Sequence, residues 1–243
     1  HIISAAVTSV KNLTKCIRAI GVDIDDLVLE PLASAEAVLT DEEKSKGVML
    51  ADIGGGTTDI AVFKDNSIYH TSVLPVAGYQ LTHDISVGLN LSFELAESMK
   101  KKYANVMPGD DKATDDTTIT TDGHSASYRD LSDIVRMRVE ELLRLIVLEL
   151  PDYSSLIPAG LVLTGGGANL PGIAELGREI TRLPVRIGIP TSLYGVSDVL
   201  SDPAYATAVG LLLWKMRNEG NIQTWRPTSP VSNLMSRIFK FFS

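Results

Sequence analysis

Apolar positions along the chain alternate between helical and strand-like spacing. Residues 4–20 place Val7, Val10, Leu13, Ile17 and Ile20 at helical intervals, and Gly21 ends that stretch. "LVLEPLASAEAVL" (27–39) predicts a short strand, then a helix with Pro31 in its first turn, where no N–H is needed. "DEEKSKG" (41–47) predicts a solvated turn. "VMLADI" (48–53) is apolar on both faces, as a central strand must be. "TDIAVFK" (58–64) and "SIYHTSVLP" (67–75) predict two further strands, with "DN" at 65–66 as the turn between them. These three strands read as a meander of hairpins, not as a strand–helix–strand unit.

Residues 81–104 read as mostly helical. The stretch 107–130 is rich in Asp, Thr, Gly and Ser, and it reads as a surface insertion in preference to a short hairpin. A long helix is expected from Asp130 to Leu150, with Leu131, Val135, Val139, Leu142 and Ile146 on one stripe. "GLVLTGGG" (160–167) is a strand running into glycines, 172–183 a helix, 185–190 a strand, and 204–216 an apolar helix. Residues 218–230 carry no periodicity and two prolines, which marks a linker. The alternation places the chain in the α/β class.

Composition narrows the function classes. The chain has 243 residues, enough for one or two domains with a core, and its 44% hydrophobic and 21% charged content is ordinary for a globular protein. A formal net charge of −8 argues against nucleic acid as a partner. One cysteine, Cys16, permits no internal disulfide and fits a reduced cytoplasmic setting; its helical stretch makes it an expected core residue. No run approaches the ~18 apolar residues of a membrane span, and no signal peptide is evident. The chain begins at His1, so it is expected to be cut from something longer. The four histidines lack ligand spacing, and no HExxH, GxSxG or paired-cysteine motif occurs.

The chemistry concentrates in "DIGGGTTD" (52–59). Glycines let backbone N–H groups approach an anion with no Cβ in the way, and a turn of such amides holds phosphate oxygens. An aspartate beside that turn would repel phosphate unless a divalent cation sat between them, since Mg²⁺ takes carboxylate, water and phosphate oxygens together. Asp52 is therefore expected to hold Mg²⁺ through water. Gly54, Gly55, Gly56 and Thr57 are expected to hold phosphates, and Asp59 to order the turn. No helix follows, so the motif is not of the Rossmann type, and the Walker lysine is missing. A tight hairpin with spare glycines is the plainer reading. A second glycine turn, "LTGGGANLPG" (163–172), argues against it. Gly165, Gly166, Gly167 and Asn169 would form a flat platform against the nucleoside, so that two turns clamp one nucleotide.

The tail is the second informative stretch. "PVSNLMSRIFKFFS" (230–243) places Leu234, Met235, Ile238, Phe239 and Phe242 on one apolar stripe, with Arg237 and Lys240 on its polar flank and Ser232 as N-cap. A basic amphipathic helix behind a linker reads as an interfacial membrane anchor, in preference to a helix folded onto the core or a partner-binding helix. Repetition along a filament would add avidity.

These motifs resemble the superfamily of actin, sugar kinases and heat-shock chaperone ATPases. "DIGGGTTD" looks like its second phosphate motif, "LTGGGANLPG" like its adenosine motif, and "EPLASA" (30–35) and "YATAVGLL" (205–212) like its two connecting segments. The resemblance implies that Glu30 orients an attacking water. It also implies an adenosine-pocket carboxylate from the long helix, Glu141 with Glu140 as the alternative. "HIISAAVTSVKNLTKCIRAIGVDIDDLVLEPLASAEAVL", "ELAESMKKKYANV", "GLVLTGGGANLPG" and "LPVRIGIP" together are similar to the FtsA family of bacterial actin-like division proteins. In that family a first phosphate hairpin and an inserted subdomain, 1C, come earlier in the chain, and neither is found here.

The resemblance thus implies a C-terminal portion. Residues 1–47 would be a remnant of subdomain 1A, 48–80 and 155–217 subdomain 2A, 81–154 subdomain 2B, 218–230 the linker and 231–243 the membrane helix. It implies ATP and Mg²⁺ as cofactors, weak ATPase activity at most in the full-length protein and none in this portion. It further implies self-assembly into filaments and a place on the cytoplasmic face of the membrane at the division site. The implied partner is the acidic C-terminal peptide of the tubulin-like ring protein FtsZ, with Lys100, Lys101, Lys102, Arg136 and Arg138 as candidate contacts by charge. Rival readings are a metabolic kinase of the same fold, an adaptor for pilus assembly or plasmid segregation, and a chaperone ATPase.

Overall fold

The computed structural model describes residues 5–107, 117–150, 153–191 and 200–218. The expected membrane helix and all of the linker beyond Asn218 lie outside the described residues. In chain order the elements are α1 (Val7–Ala19), α2 (Glu30–Val38), α3 (Asp41–Lys46), β1 (Val48–Ile53), β2 (Thr58–Lys64) and β3 (Ser67–Leu74). Then come α4 (Gly78–Gly88), α5 (Phe93–Tyr103), β4 (Thr118–Thr121), β5 (His124–Ser127), α6 (Tyr128–Leu148) and α7 (Tyr153–Leu156). β6 (Leu161–Thr164), a 3₁₀ turn (Gly166–Asn169), α8 (Ile173–Thr181), β7 (Val185–Ile187), a second 3₁₀ turn (Pro203–Tyr205) and α9 (Ala206–Asn218) complete the order.

Five strands form one sheet in the order β3-β2-β1-β6-β7. β1–β2 and β2–β3 pair antiparallel, whereas β1–β6 and β6–β7 pair parallel. β1 is therefore central, and all six of its residues are buried. Its period-2 alternation splits the core. Met49, Ala51 and Ile53 face the layer that contains α4, α5, α6 and α8. Val48 and Leu50 face α2 and α9. By the same parity Asp52 points to the α2–α9 side. The Asp65–Asn66 turn carries φ of 52° and 59°, which suits the right-handed twist of a two-residue hairpin.

Four expectations change. Residues 41–47 are not a turn: Thr40 and Glu43 form a capping box, with the Glu43 N–H donating to Thr40 Oγ1 at 3.2 Å and the Thr40 N–H to Glu43 Oε2 at 2.8 Å, and these bonds start α3. Residues 27–29 form no strand; they are an extended entry to α2. The polar insertion holds a hairpin, β4–β5, turned at Asp122–Gly123 and anchored by buried Ile119 and by the Tyr103 hydroxyl donating to Thr120 O at 2.8 Å. Finally, Cys16 is exposed and α1 has no buried residue, so its apolar stripe is not part of the described core.

Candidate functional site

β1 and β6 run parallel side by side, with Asp52 opposite Thr164. Each strand therefore delivers its glycine turn to the same edge of the sheet, beyond the strands' C-terminal ends, where open α/β sheets bind ligands. The first turn is closed by the Gly54 N–H donating to Thr57 O at 2.9 Å. The second is tucked against β1. Gly165 has φ of 81°, and a Cβ there would lie 2.3 Å from Asp52 Oδ1 and 2.6 Å from Ile53 O. A Cβ on Gly167 would lie 2.3 Å from Ile53 Cγ2.

The two turns open on one cleft of about 830 Å³. Of the residues singled out in the sequence, Glu30, Asp52, Gly54, Gly55, Gly165, Gly166, Gly167 and Asn169 line it. Gly56 and Thr57 belong to the first turn but do not line the cleft; Thr57 instead donates its hydroxyl to Asp59 at 3.0 Å. The opposite bank comes from α4 and α5: Gly78, Tyr79, Thr82, Phe93, Glu97, Lys100 and Lys101. The N–H groups of Gly78 and Tyr79 donate to Gly54 O at 3.1 Å and Gly55 O at 2.6 Å, so α4 starts on the first turn itself.

Neither Glu141 nor Glu140 reaches this cleft. α6 turns its Leu131–Ile146 stripe into the core, which leaves position 141 outward. Glu141 pairs with Arg138, beside Asp84 at a groove between α4 and α6. Glu140 pairs with Arg136 at 3.0 Å, and that arginine also holds Glu179 at 3.2 Å. The carboxylate that the helical bank supplies is Glu97, which the sequence reading missed. Its signal was the spacing to Lys100 at i+3 and Lys101 at i+4. Lys100 is not a free surface cation: its Nζ donates to Gly78 O at 3.1 Å, to Thr82 Oγ1 at 2.8 Å and to Glu97 at 2.6 Å.

Charge is divided across the cleft. Burial raises the Glu30 carboxyl above its ordinary value, and the carboxylates of Asp59 and Asp52 push it further. Burial also raises Asp52, against hydrogen bonds from Ser34 and Thr207, and raises Asp59 against the Thr57 hydroxyl. On the other bank, burial pushes Glu97 up, but hydrogen bonds from Lys100, Thr82 and Lys101 outweigh it and hold the carboxyl at about 2. Desolvated carboxylates crowded at one rim are relieved by a divalent cation. Among the described residues no group of three or more His, Cys, Asp or Glu side chains could hold a metal ion. Asp52, the buried carboxylate beside the first turn, is a donor that fits Mg²⁺, which needs one or two carboxylates and takes its remaining ligands from water and phosphate. Among the described residues no helix is long and apolar enough to cross a membrane.

A protein-family model described as "Cell division protein FtsA" matches residues 49–210. The cell division protein FtsA of Pseudomonas aeruginosa is 42% identical over 227 residues, covering 91% of this chain and 54% of that relative. The chain thus spans about half the length of that relative. Among solved structures, MreB5 of Spiroplasma citri bound to ADP superposes with a TM-score of 0.72 at 18% identity, covering 91% of this chain and 69% of MreB5. A MamK double helical filament gives 0.63 at 18% identity, covering 90% of this chain and 66% of MamK. The fold is that of the actin-like ATPases.

Proposed function

Because the chain belongs to the FtsA family of cell-division proteins, we propose that it is the nucleotide-binding and ring-tethering portion of an actin-like division adaptor. The observation that carries this reading is the convergence of both glycine turns, Glu30 and Asp52 on one cleft. In it Gly54 and Gly55 hold ATP phosphates through the backbone of the first turn, while Gly56 and Thr57, outside the lining, shape that turn. Asp52 holds Mg²⁺ through water, and the cation, when bound, neutralises phosphate charge. Glu30, exposed at the rim, orients the attacking water. Gly165, Gly166, Gly167 and Asn169 lie under the nucleoside, and Glu97 accepts from the ribose hydroxyls in the place first assigned to Glu141.

In this reading residues 48–80 and 155–217 are subdomain 2A and residues 81–154 are subdomain 2B. Nucleotide-linked closure drives assembly into filaments, as the filament-forming fold neighbour supports, and turnover is weak. The FtsZ C-terminal peptide docks on 2B, where Arg138 and Arg136 lie on α6; Lys100 and Lys101 are withdrawn from that set because both line the cleft. Leu234, Met235, Arg237, Ile238, Phe239, Lys240 and Phe242 place the protein on the cytoplasmic face of the membrane at the division site.

The deciding experiment is capture of the FtsZ C-terminal peptide by the full-length protein, paired with ATP binding in Mg²⁺ and in EDTA. Specific capture with Mg²⁺-strengthened ATP binding is expected, and absence of capture sinks the division role. Liposome flotation tests the anchor separately: Phe239→Asp with Phe242→Asp should reduce flotation to background, and undiminished flotation would refute it.

A further inference from the structure

Asp52 is 4% exposed, at the tip of β1 and on the face that packs against α2 and α9. Its Oδ2 accepts from Ser34 Oγ of α2 at 2.5 Å and from Thr207 Oγ1 of α9 at 3.2 Å. The two hydroxyl oxygens are themselves 3.0 Å apart, although 173 residues separate them in the chain. Oδ2 is thus committed to two helices at once. Oδ1, the other oxygen, lies against Gly165.

Packing does not explain these hydroxyls. Ser34 is fully buried between the buried alanines 33 and 35, and an alanine would fill its place in α2. A helical serine or threonine usually bonds its own carbonyl four residues back. Here both reach across to one carboxylate instead. The helices they come from touch backbone to backbone: a Cβ on Gly210 of α9 would fall 1.7 Å from Ala33 O of α2. Rotation of the Asp52 carboxylate therefore breaks two bonds, and sliding of α2 along α9 moves the carboxylate.

We propose that Ser34 and Thr207 are positioning residues. They fix Asp52 so that Oδ1 is presented to the Mg²⁺-nucleotide, and they make that presentation depend on the seating of α2 on α9. This rests on the nucleotide reading of the cleft. Outer groups of a metal site are worth about 10–100-fold in metal affinity, and Ser34 and Thr207 act through one of them, Asp52.

The test uses the full-length protein, with a fluorescent ATP titrated in Mg²⁺ and in EDTA, and Mn²⁺ followed by electron paramagnetic resonance. Thr207→Val removes a hydroxyl at constant shape, Ser34→Ala removes the other, and Thr207→Ser restores the donor. Both deletions should lower the metal-dependent gain in ATP affinity about 10–100-fold and raise the sharp six-line signal of free Mn²⁺, while affinity in EDTA stays at the wild-type value. Thr207→Ser should return to wild type. Equal losses with and without metal, or no loss at all, would overturn the proposal. A wild type whose ATP binding ignores Mg²⁺ would overturn the metal reading of the cleft as well. If Ser34→Ala does not fold, the Val and Ser pair at 207 decides alone.

Discussion

The two glycine turns carry the same three letters for opposite reasons. In the second, the glycines are dictated from within the protein: Gly165 adopts a left-handed conformation against Asp52 and Ile53, and Gly167 lies against the Ile53 side chain. This turn needs glycine with or without a ligand. In the first, a Cβ on Gly55 or Gly56 would meet nothing within 4 Å, and neither has positive φ. Nothing inside the described structure asks for glycine at those two positions, whereas a Cβ on Gly54 would lie 3.1 Å from Thr57 O. The demand comes from outside, from a group that must approach the backbone closely. A run of glycines thus marks either a packing constraint or a ligand, and only the space around each Cβ tells which.

The largest effect should come from breaking the second turn. Gly165→Ala combines an unfavourable φ with a Cβ driven into Asp52 Oδ1 and a backbone carbonyl. Strain and overpacking together should cost about 2–5 kcal/mol of unfolding free energy, read from a denaturant midpoint on the full-length protein. A loss under ~0.5 kcal/mol would show that the turn relaxes freely and that the contrast between the turns is false.

The first turn should respond in the opposite sense. Gly55→Ala adds a methyl to open space and reduces the freedom of the unfolded chain, so stability should hold or rise by up to about 1 kcal/mol. ATP affinity should nevertheless fall about tenfold, or ~1.4 kcal/mol, because the methyl stands where a phosphate oxygen comes. Loss of stability without loss of affinity would reverse the assignment of the two turns.

This contrast also bounds what the sequence could disclose. The β1 run 48–53 and both GGG turns were legible because a doubly buried strand and a glycine turn write themselves locally. So was Asp52, as the carboxylate beside the turn. The capping box at Thr40–Glu43 and the Asp122–Gly123 turn were equally local, and were outweighed by the polarity around them. Glu97 was legible only as an ion-pair spacing on a helix, not as a cleft residue. Along α5 it stands among Glu94 and three lysines, and only the docking of α4 on the first turn singles out the face that meets the cleft. Glu141 failed for the complementary reason. Its place on a long helix fits a cleft residue, but the orientation of that helix is fixed by distant packing. The α1 stripe reads as buried, yet periodicity names a face and not the surface that covers it.

The smallest effect concerns the bank facing both turns. Glu97 is held at about 2 by Lys100, Thr82 and Lys101 against the lift from burial. Its folded value lies below the ordinary 4.5, so an unfolded chain takes up the proton first as pH falls. The pairing therefore stabilises the fold fully above about pH 4.5, and that stabilisation drains away towards pH 2. Glu97→Gln should lower stability at pH 7 by about 0.5–1 kcal/mol, since the group is solvent-accessible and screened. Wild type and variant should converge as the pH is taken down through that window. A gap that persists unchanged at pH 2 would mean that Glu97 acts through packing, and that the charge difference between the turns' rim and the helical bank contributes nothing to the fold.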